Sequence, residues 1–382
     1  MSLRRLVLLL SAVVFVDTVF YSAVAPLLPH YADDLGLSKA SAGVLAAAYP
    51  AGTLIGSLPG GMLASRLGPK VTVLLGLALL AGSSLAFGFA HHIALLDAAR
   101  FVQGFGGACS WAGALAWLVG EAPAERRGAL IGTALGAGIA GSLFGPVVGA
   151  IAVLTAPELV FGSVVVVAAA LGAWAWGMPL THTSEPQGLD EVAAAIRAPG
   201  VRIGMWLVAL PALGFGSLAV LVPLRLDHLG AGGAAIGATF LVAAAAESAI
   251  SPIAGRMSDR SGRLVPIRLG LGAAAVVLAC VTLPQEALGL GAAMVVAATA
   301  LGFFWAPAMA LLADAAEETG LHQGLAFALV NLAWAAGQGI GSAAGGTVAK
   351  ATSDAVPLAL VAAGCLGTLW ALRRRSARAV PA

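Results

Sequence analysis

The sequence predicts an all-α membrane protein of about twelve transmembrane helices arranged as two pseudo-symmetric six-helix bundles, and three observations carry that prediction. Of 382 residues, 60% are apolar and only 10% charged, and the mean hydropathy is +0.96. Those values lie far outside the range of a water-soluble domain. The apolar runs are about 20 residues long, as a helix needs to cross a hydrocarbon core of roughly 30 Å. They are too long for barrel strands and lack a strand's period-two alternation. Finally, a short polar turn is written twice, 194 residues apart: Gly61-Met62-Leu63-Ala64-Ser65-Arg66-Leu67-Gly68-Pro69-Lys70 and Gly255-Arg256-Met257-Ser258-Asp259-Arg260-Ser261-Gly262-Arg263. Each copy leaves one apolar run and enters the next, and the spacing is half the chain, as tandem duplication of a bundle would leave it.

Polar or Pro/Gly-rich breaks delimit the spans in order. The first, 6–28, follows Arg4 and Arg5 and runs into Pro26-Leu27-Leu28-Pro29; the second, 41–64, starts past Lys39 and ends in the first polar turn. The third, 70–90, leaves that turn and stops at His91-His92, where the fourth, 93–119, begins. The glycine-rich fifth, 128–153, follows Arg126 and Arg127, and the sixth, 158–180, follows Pro157. After a long connection come 203–226 and 234–257, the latter entering the second polar turn. The ninth, 264–284, ends at Pro284, the tenth, 287–313, at Asp314, and the last two, 321–349 and 355–372, flank Asp354. The longest connection, Thr181 to Arg202, contains Pro186, Gly188, Pro199 and Gly200. It divides the chain into an N-terminal bundle (1–180), a cytoplasmic linker (181–202) and a C-terminal bundle (203–382). Within it, Leu189–Arg197 has the pattern of a short amphipathic helix on the inner membrane surface.

Basic residues set the orientation, because Lys and Arg accumulate in short cytoplasmic loops. With the N-terminus inside, sixteen fall on the cytoplasmic side: Arg4, Arg5, Arg66, Lys70, Arg126, Arg127, Arg197, Arg202, Arg256, Arg260, Arg263, Arg268, Arg373, Arg374, Arg375 and Arg378. Lys39, Arg225 and Lys350 fall outside, and Arg100 lies within a span. Both termini are therefore expected in the cytoplasm, and the net charge of +2 reflects topology, with no sign of nucleic-acid binding. The opening residues imitate a signal peptide with a small-residue site at Ser22-Ala23-Val24-Ala25, but cleavage would leave an odd span count and discard Asp17. Cys109, Cys280 and Cys365 sit singly in different spans, and His30, His91, His92, His182, His228 and His322 sit near span ends, so no metal site is expected. Nucleophile, phosphate-loop and zinc motifs are lacking, and short loops leave no room for chemistry outside the bilayer. The expectation is a chain without cofactor that is no enzyme.

Three local signatures resemble the major facilitator superfamily, and the similarity covers essentially the whole chain. The doubled polar turn is the first. The second is Arg100-Phe101-Val102-Gln103-Gly104 in the fourth span. The third is Gly141-Ser142-Leu143-Phe144-Gly145-Pro146-Val147-Val148-Gly149 in the fifth, similar to the element of the family's exchanger branch. Asp17 with Pro26-Leu27-Leu28-Pro29 is similar to the first span of drug and vesicular-amine antiporters. The resemblance implies gating roles for the turn residues Gly61, Ser65, Arg66, Gly68, Gly255, Asp259, Arg260, Gly262 and Arg263, and a packing role in antiport for Gly141, Gly145, Pro146 and Gly149. Where the family usually carries an acid this chain has Ser65, whereas Asp259 is kept. A serine can cap a helix without supplying a charge, so a weaker inner latch is expected.

A charge at mid-bilayer costs roughly 2.5 to 3.5 kcal/mol on insertion scales, so it normally faces a bundle interior or a wet cavity. Asp17 and Glu247, one near the middle of a span in each half, are the candidate proton carriers, with Arg100 as the cation that responds to them. Arg100 has two other potential partners, Asp97 three residues earlier and Glu247 across the bundles. Tyr21 and Ser251 lie four residues beyond Asp17 and Glu247 on the same faces and are placed to bond them. Gln103, Gly107 and Trp111 continue the Arg100 face. Asn331, Trp334 and Gln338 share one face of the eleventh span, and Trp305 precedes Pro307 in the tenth. Tyr21, Gln103, Trp111, Ser251, Trp305, Asn331, Trp334 and Gln338 are the candidate substrate contacts. Amides also serve as interhelical glue, and aromatics as packing.

The expected function is secondary active transport: proton-coupled efflux, by antiport and alternating access, of small amphipathic or cationic compounds across the plasma (inner) membrane by a monomer. The expected partners are the substrate, protons and the lipid bilayer. The alternatives are a carrier importing a nutrient or metabolite (a sugar, organic acid or peptide) and a receptor that has lost transport. Few amides and a single embedded cation argue against sugars and anions.

Overall fold

The computed structural model describes residues 3–123, 127–179, 189–321 and 323–378. Arg126, His182, Pro186, Gly188 and His322, singled out above, lie outside them. Helices account for nearly all of the described chain: α1 (Leu3–Ser22), α2 (Val24–Asp34), α3 (Lys39–Arg66), α4 (Pro69–Gly88), α5 (Ile93–Glu121), α6 (Arg127–Leu154) and α7 (Pro157–Trp176) in the first half. After α8 (Leu189–Arg197) come α9 (Pro199–His228), α10 (Gly233–Ser261), α11 (Leu264–Cys280), α12 (Ala287–Glu317), α13 (Gln323–Ala351) and α14 (Ala355–Arg378). Among the described residues ten spans have the length and hydropathy to cross a membrane, α1 and α2 counting as one; α5, with Arg100 in it, and the shorter α11 complete the twelve.

Most spans run a few residues beyond their expected ends. The largest correction is the first, which continues to Asp34 but breaks at Ala23. Pro26 explains the break, since it offers no N–H to the Ser22 carbonyl and its ring crowds that carbonyl. Both polar turns reverse through a glycine in the left-handed region, Gly68 at φ 93° and Gly262 at φ 83°, again 194 residues apart. In the linker, α8 forms over the expected residues and buries Val192 and Ala195.

Within each bundle, glycine lets backbones touch. A Cβ on Gly141 or Gly145 of α6 would run into the α1 backbone at Phe15 and Val19, and one on Gly149 into the break at Ala23. A Cβ on Gly337, Gly341 or Gly345 of α13 would meet α9 at Ala209, Leu213 and Ser217. The α1 and α9 contacts differ by 194 residues and the glycines by 196, so the two halves repeat one packing register. Gly52 of α3 and Gly104 of α5 interlock against the facing carbonyls of Phe101 and Tyr49 in the same way.

The bundles meet along α3 with α13 and along α6 with α10. Gly43 faces Ser342 and Gly346, and a Cβ at Gly237 would lie 2.8 Å from that of Ala150. The Lys39 ammonium reaches Asp354 Oδ1 at 2.6 Å across the bundles. These approaches lie toward the end carrying the α2–α3 turn. At the end carrying the paired polar turns, the ion pairs of Arg263 with Asp259 and Asp314, both 3.0 Å, stay inside the second bundle.

Candidate functional site

Asp17 lies in the second half of α1 and is 1% exposed, enclosed by α3 and α5. Its Oδ2 accepts hydrogen bonds from the Tyr49 hydroxyl (3.0 Å) and from Trp111 Nε1 (3.2 Å), while Oδ1 has no hydrogen-bond partner. Gly107 makes this possible, because a Cβ there would press against the Tyr49 hydroxyl and lie 2.8 Å from Oδ1. The expected Arg100 face is therefore assembled, with Gly107 beneath Asp17 and Trp111 bonded to it.

Arg100 is 2% exposed. Its Nη1 donates to the Phe20 carbonyl (3.2 Å) and to Gln103 Oε1 (2.5 Å), and its Nη2 to the Tyr21 carbonyl (3.2 Å). The guanidinium lies 5.0 Å from the Tyr49 ring centroid and 5.9 Å from that of Tyr21. Neither anticipated ion pair forms, because this side chain turns to the α1 carbonyls and to Gln103. Asp97 Oδ1 is left buried and unpartnered. Among the described residues Arg100 has no carboxylate within 4.0 Å, and its charge is spread over carbonyls and ring faces.

Tyr49, which the sequence offers only as an aromatic wall or as packing before Pro50, joins the two charges of this site. One of only three tyrosines, it bonds Asp17 through its hydroxyl, faces Arg100 with its ring, and stacks on Tyr21 at 4.7 Å. Its position beside Pro50 in an apolar span, four residues from Thr53, was the available signal. Tyr21 does not bond Asp17; its ring bridges Tyr49 to Trp334 of α13, which it meets edge-on at 5.5 Å across the bundles.

Glu247 is partly exposed on α10, with its side chain packed on Gly302 of α12. Ser251 does not bond the carboxylate, as its hydroxyl donates to the Glu247 main-chain carbonyl (2.9 Å), the usual alternative for a mid-helix serine. No protein group among the described residues bonds or pairs with the Glu247 carboxylate. The side chains of Asn331 and Gln338 make no hydrogen bond to described residues, although Gln338 is buried. Trp305 packs edge-on against Phe215 at 6.2 Å.

The turn residues lie apart from this centre. Ser65 donates to the Met62 carbonyl of its own helix (2.9 Å), and Arg66 and Arg260 are exposed. Gly61 and Gly255 have open space around them. In the first copy Lys70 ties the turn to the Trp176 and Met178 carbonyls (2.6 Å each), the part that Arg263 plays through Asp314 in the second. Pro146, beside the α6 glycines, presents its carbonyl to Gly237 of α10.

The sequence model of the Major Facilitator Superfamily matches residues 10–320 and 204–381. The human synaptic vesicular amine transporter is 26% identical over 339 residues, which cover 86% of this chain and 65% of that protein. This chain thus spans just under two thirds of that relative's length. The quinolone resistance protein NorA of Staphylococcus aureus is 30% identical over 126 residues, 33% of this chain and 32% of NorA. Among solved structures, a bacterial homologue of the human lysosomal transporter Spinster, inward-facing and unoccupied, superposes with a TM-score of 0.76 at 14% identity, covering 96% of this chain and 94% of that one. A D-xylose-proton symporter superposes at 0.74 and 17% identity, covering 96% of each chain.

Proposed function

The chain belongs to the Major Facilitator Superfamily, whose members are membrane transporters and not enzymes, and on that premise we propose that it is a proton-coupled exporter of small amphipathic cations. One observation carries the reading: two carboxylates, one deep within a span of each bundle, have no ionic partner among the described residues. Such a group is stable in a low-dielectric interior only when a proton or a cation neutralises it, so each is a place where the two can be exchanged. The amine transport named for one relative and the drug resistance named for another support cationic cargo.

In this reading the protein works in the plasma membrane with both termini in the cytoplasm, as a monomer. The bundles 1–180 and 203–382 rock about the linker 181–202. The α2–α3 end is then the outer one, and the close cross-bundle approaches there correspond to a state closed outside and open to the cytoplasm. Cargo enters from the cytoplasm, and protons arriving from outside displace it and are carried in. Exchange of one proton for one monovalent cation moves no net charge and is driven by the pH difference; each further proton carries one net charge in, and one charge moving down 100 mV yields about 2.3 kcal/mol, enough to concentrate cargo several tens-fold.

The test is internal pH in proteoliposomes under an imposed proton gradient, while lipophilic cations, neutral drugs, sugars and organic acids are added in turn. Cation-evoked proton movement that disappears in Asp17→Asn and Glu247→Gln is the expected result. Full proton-driven exchange in both variants sinks the coupling scheme, and proton uptake evoked by sugars alone identifies an importer instead.

A further inference from the structure

We infer that the second bundle carries a binding site for an anionic phospholipid, formed where α9, α11 and α14 meet at the end of the molecule that holds the polar turns. Arg202, Arg268, Arg373 and Arg374 take the phosphate, and the indoles of Trp206 and Trp370 lie beneath it, level with the lipid's ester groups.

Three contacts bring these residues to one corner. Trp206 Nε1 donates to Thr368 Oγ1 at 2.9 Å and joins α9 to α14. Arg268 Nη2 donates to the Leu372 carbonyl at 3.3 Å and joins α11 to α14 one turn nearer its end. The Arg374 guanidinium lies 3.7 Å from the Trp370 ring centroid, a cation–π contact on an exposed indole. Arg202 precedes Trp206 by four residues, so it shares that face of α9 and sits about 6 Å nearer the helix start. Because α9 starts and α14 ends at this corner, the side chains form two tiers, indoles below and guanidiniums about one turn above them. A phospholipid at the membrane boundary has the same order, with ester groups below and phosphate above.

Nothing in the protein balances this charge. No carboxylate among the described residues comes within 4.0 Å of Arg202, Arg373 or Arg374, and all three are exposed. A guanidinium can meet two phosphate oxygens at once, which suits it to this partner better than an ammonium. Leu366, four residues before Trp370, continues the exposed face of α14 into the apolar part of the span, as an acyl chain requires and a soluble anion does not. The internal repeat supplies a control. Trp370 has a counterpart 194 residues earlier in Trp176, which is also exposed. The four arginines have none, since Leu8, Leu74, Pro179 and Leu180 stand at the matching positions. The cation beside Trp176 is Lys70, 5.6 Å from the ring centroid, and it donates to the Trp176 and Met178 carbonyls. Both bundles therefore place an indole at this level, but only the second surrounds it with arginine. Every group of the site belongs to that bundle, so a bound lipid steadies α14 against α9 and α11 without tying the two bundles together.

The test is lipid retention by the purified protein in detergent, counted by native mass spectrometry after mixing with phosphatidylglycerol or phosphatidylcholine. Glycerol phosphate serves as the headgroup without acyl chains. The wild-type protein should hold phosphatidylglycerol at least tenfold more tightly than phosphatidylcholine, and millimolar glycerol phosphate should not displace it. Arg202→Gln with Arg374→Gln should remove most of that preference, and Trp370→Leu should reduce it severalfold. Arg4→Gln with Arg5→Gln removes the same charge from exposed arginines at the start of α1 and should leave the preference within about twofold. Phosphatidylglycerol should also raise the unfolding temperature of wild type by several degrees, and that of the Arg202/Arg374 variant by less than half as much. Equal retention of both lipids by wild type overturns the site. An equal loss of preference in the two double variants does so too, because it reduces the effect to general attraction by a basic surface. Loss of both lipids alike in the Arg202/Arg374 variant overturns it as well, and displacement by glycerol phosphate would assign the arginines to a soluble anion instead.

Discussion

Tyr49 joins the two buried charges of the first bundle, holding Asp17 with its hydroxyl and Arg100 with its ring face. These contacts can be separated by substitution. Tyr49→Phe deletes the bond and keeps the ring, whereas Tyr49→Leu deletes both. A hydrogen bond to a charged group contributes about 1.5 to 3 kcal/mol, and about 1.4 kcal/mol corresponds to a factor of ten. Cation-evoked proton movement in proteoliposomes should therefore fall at least tenfold in Tyr49→Phe, with a further loss in Tyr49→Leu from releasing Arg100. Equal rates in Tyr49→Phe and wild type would show that the bond plays no part in coupling. At this scale the sequence was only partly legible. Asp17, Arg100, Gln103 and Trp111 stand out because charge, amide and indole groups are rare in apolar helices and three of them share one helix face. Tyr49 stands out only as an aromatic wall or as packing, because whether a span tyrosine faces lipid or a carboxylate depends on how α3 is rotated against α5, and that rotation is set by Gly52 meeting Phe101 and Gly104 meeting Tyr49. The same limit applies to Ser251, whose hydroxyl has a carbonyl of its own helix within reach.

Helix pairing inside each bundle depends on the glycine rows of α6 and α13, and the α6 row, Gly141 to Gly149, was visible in the sequence as spacing. What spacing could not show is which glycines touch. Gly149 has the Ala23 carbonyl in the place a Cβ would take, and Gly341 has that of Leu213, whereas Gly136 on the same α6 helix has no atom within 4 Å. Backbone cannot swing aside as a side chain can, so Gly149→Ala and Gly341→Ala should each destabilise by about 1 to 3 kcal/mol through overpacking. Gly136→Ala should be neutral or slightly stabilising, since alanine favours a helix by about 1 kcal/mol over glycine. Thermal unfolding in detergent, followed by light scattering, would show the first two variants melting several degrees below wild type and the third at or above it. Three equal curves would mean that the α1–α6 and α9–α13 contacts are looser in solution than in the structure. The break at Ala23 belongs to this scale too. Pro26 was plain to see, but a hydropathy segment has no means of registering that helix resumes beyond a proline and continues to Asp34.

For the whole molecule the question is which end is shut, and the two ends are held by different chemistry. At the α2–α3 end the bundles are joined by the Lys39–Asp354 pair, with Asp354 only 13% exposed, and by the backbone approach of Gly43 to Ser342 and Gly346. At the other end, among the described residues, Ser65 bonds only its own helix, and the Asp259 carboxylate is engaged by Arg263 of its own half. If alternating access operates, removing an attraction present only in the state seen here must raise the share of the opposite state. An exposed pair contributes about 0 to 1 kcal/mol, and this one, with both side chains partly buried, lies at the upper end of that range or above it, so Lys39→Met should shift the ratio of states by about fivefold or more. The charge swap, Lys39→Asp with Asp354→Lys, should recover most of that shift. Ser65→Asp acts at the opposite end, restoring the acid that family members usually carry, and should shift the ratio in the same direction as Lys39→Met. Distances between spin labels placed on either side of each end would report both populations. A Ser65→Asp variant with unchanged distances would mean that the first polar turn holds no latch, and an unchanged Lys39→Met would leave closure of the α2–α3 end to the glycine contacts of α3 with α13.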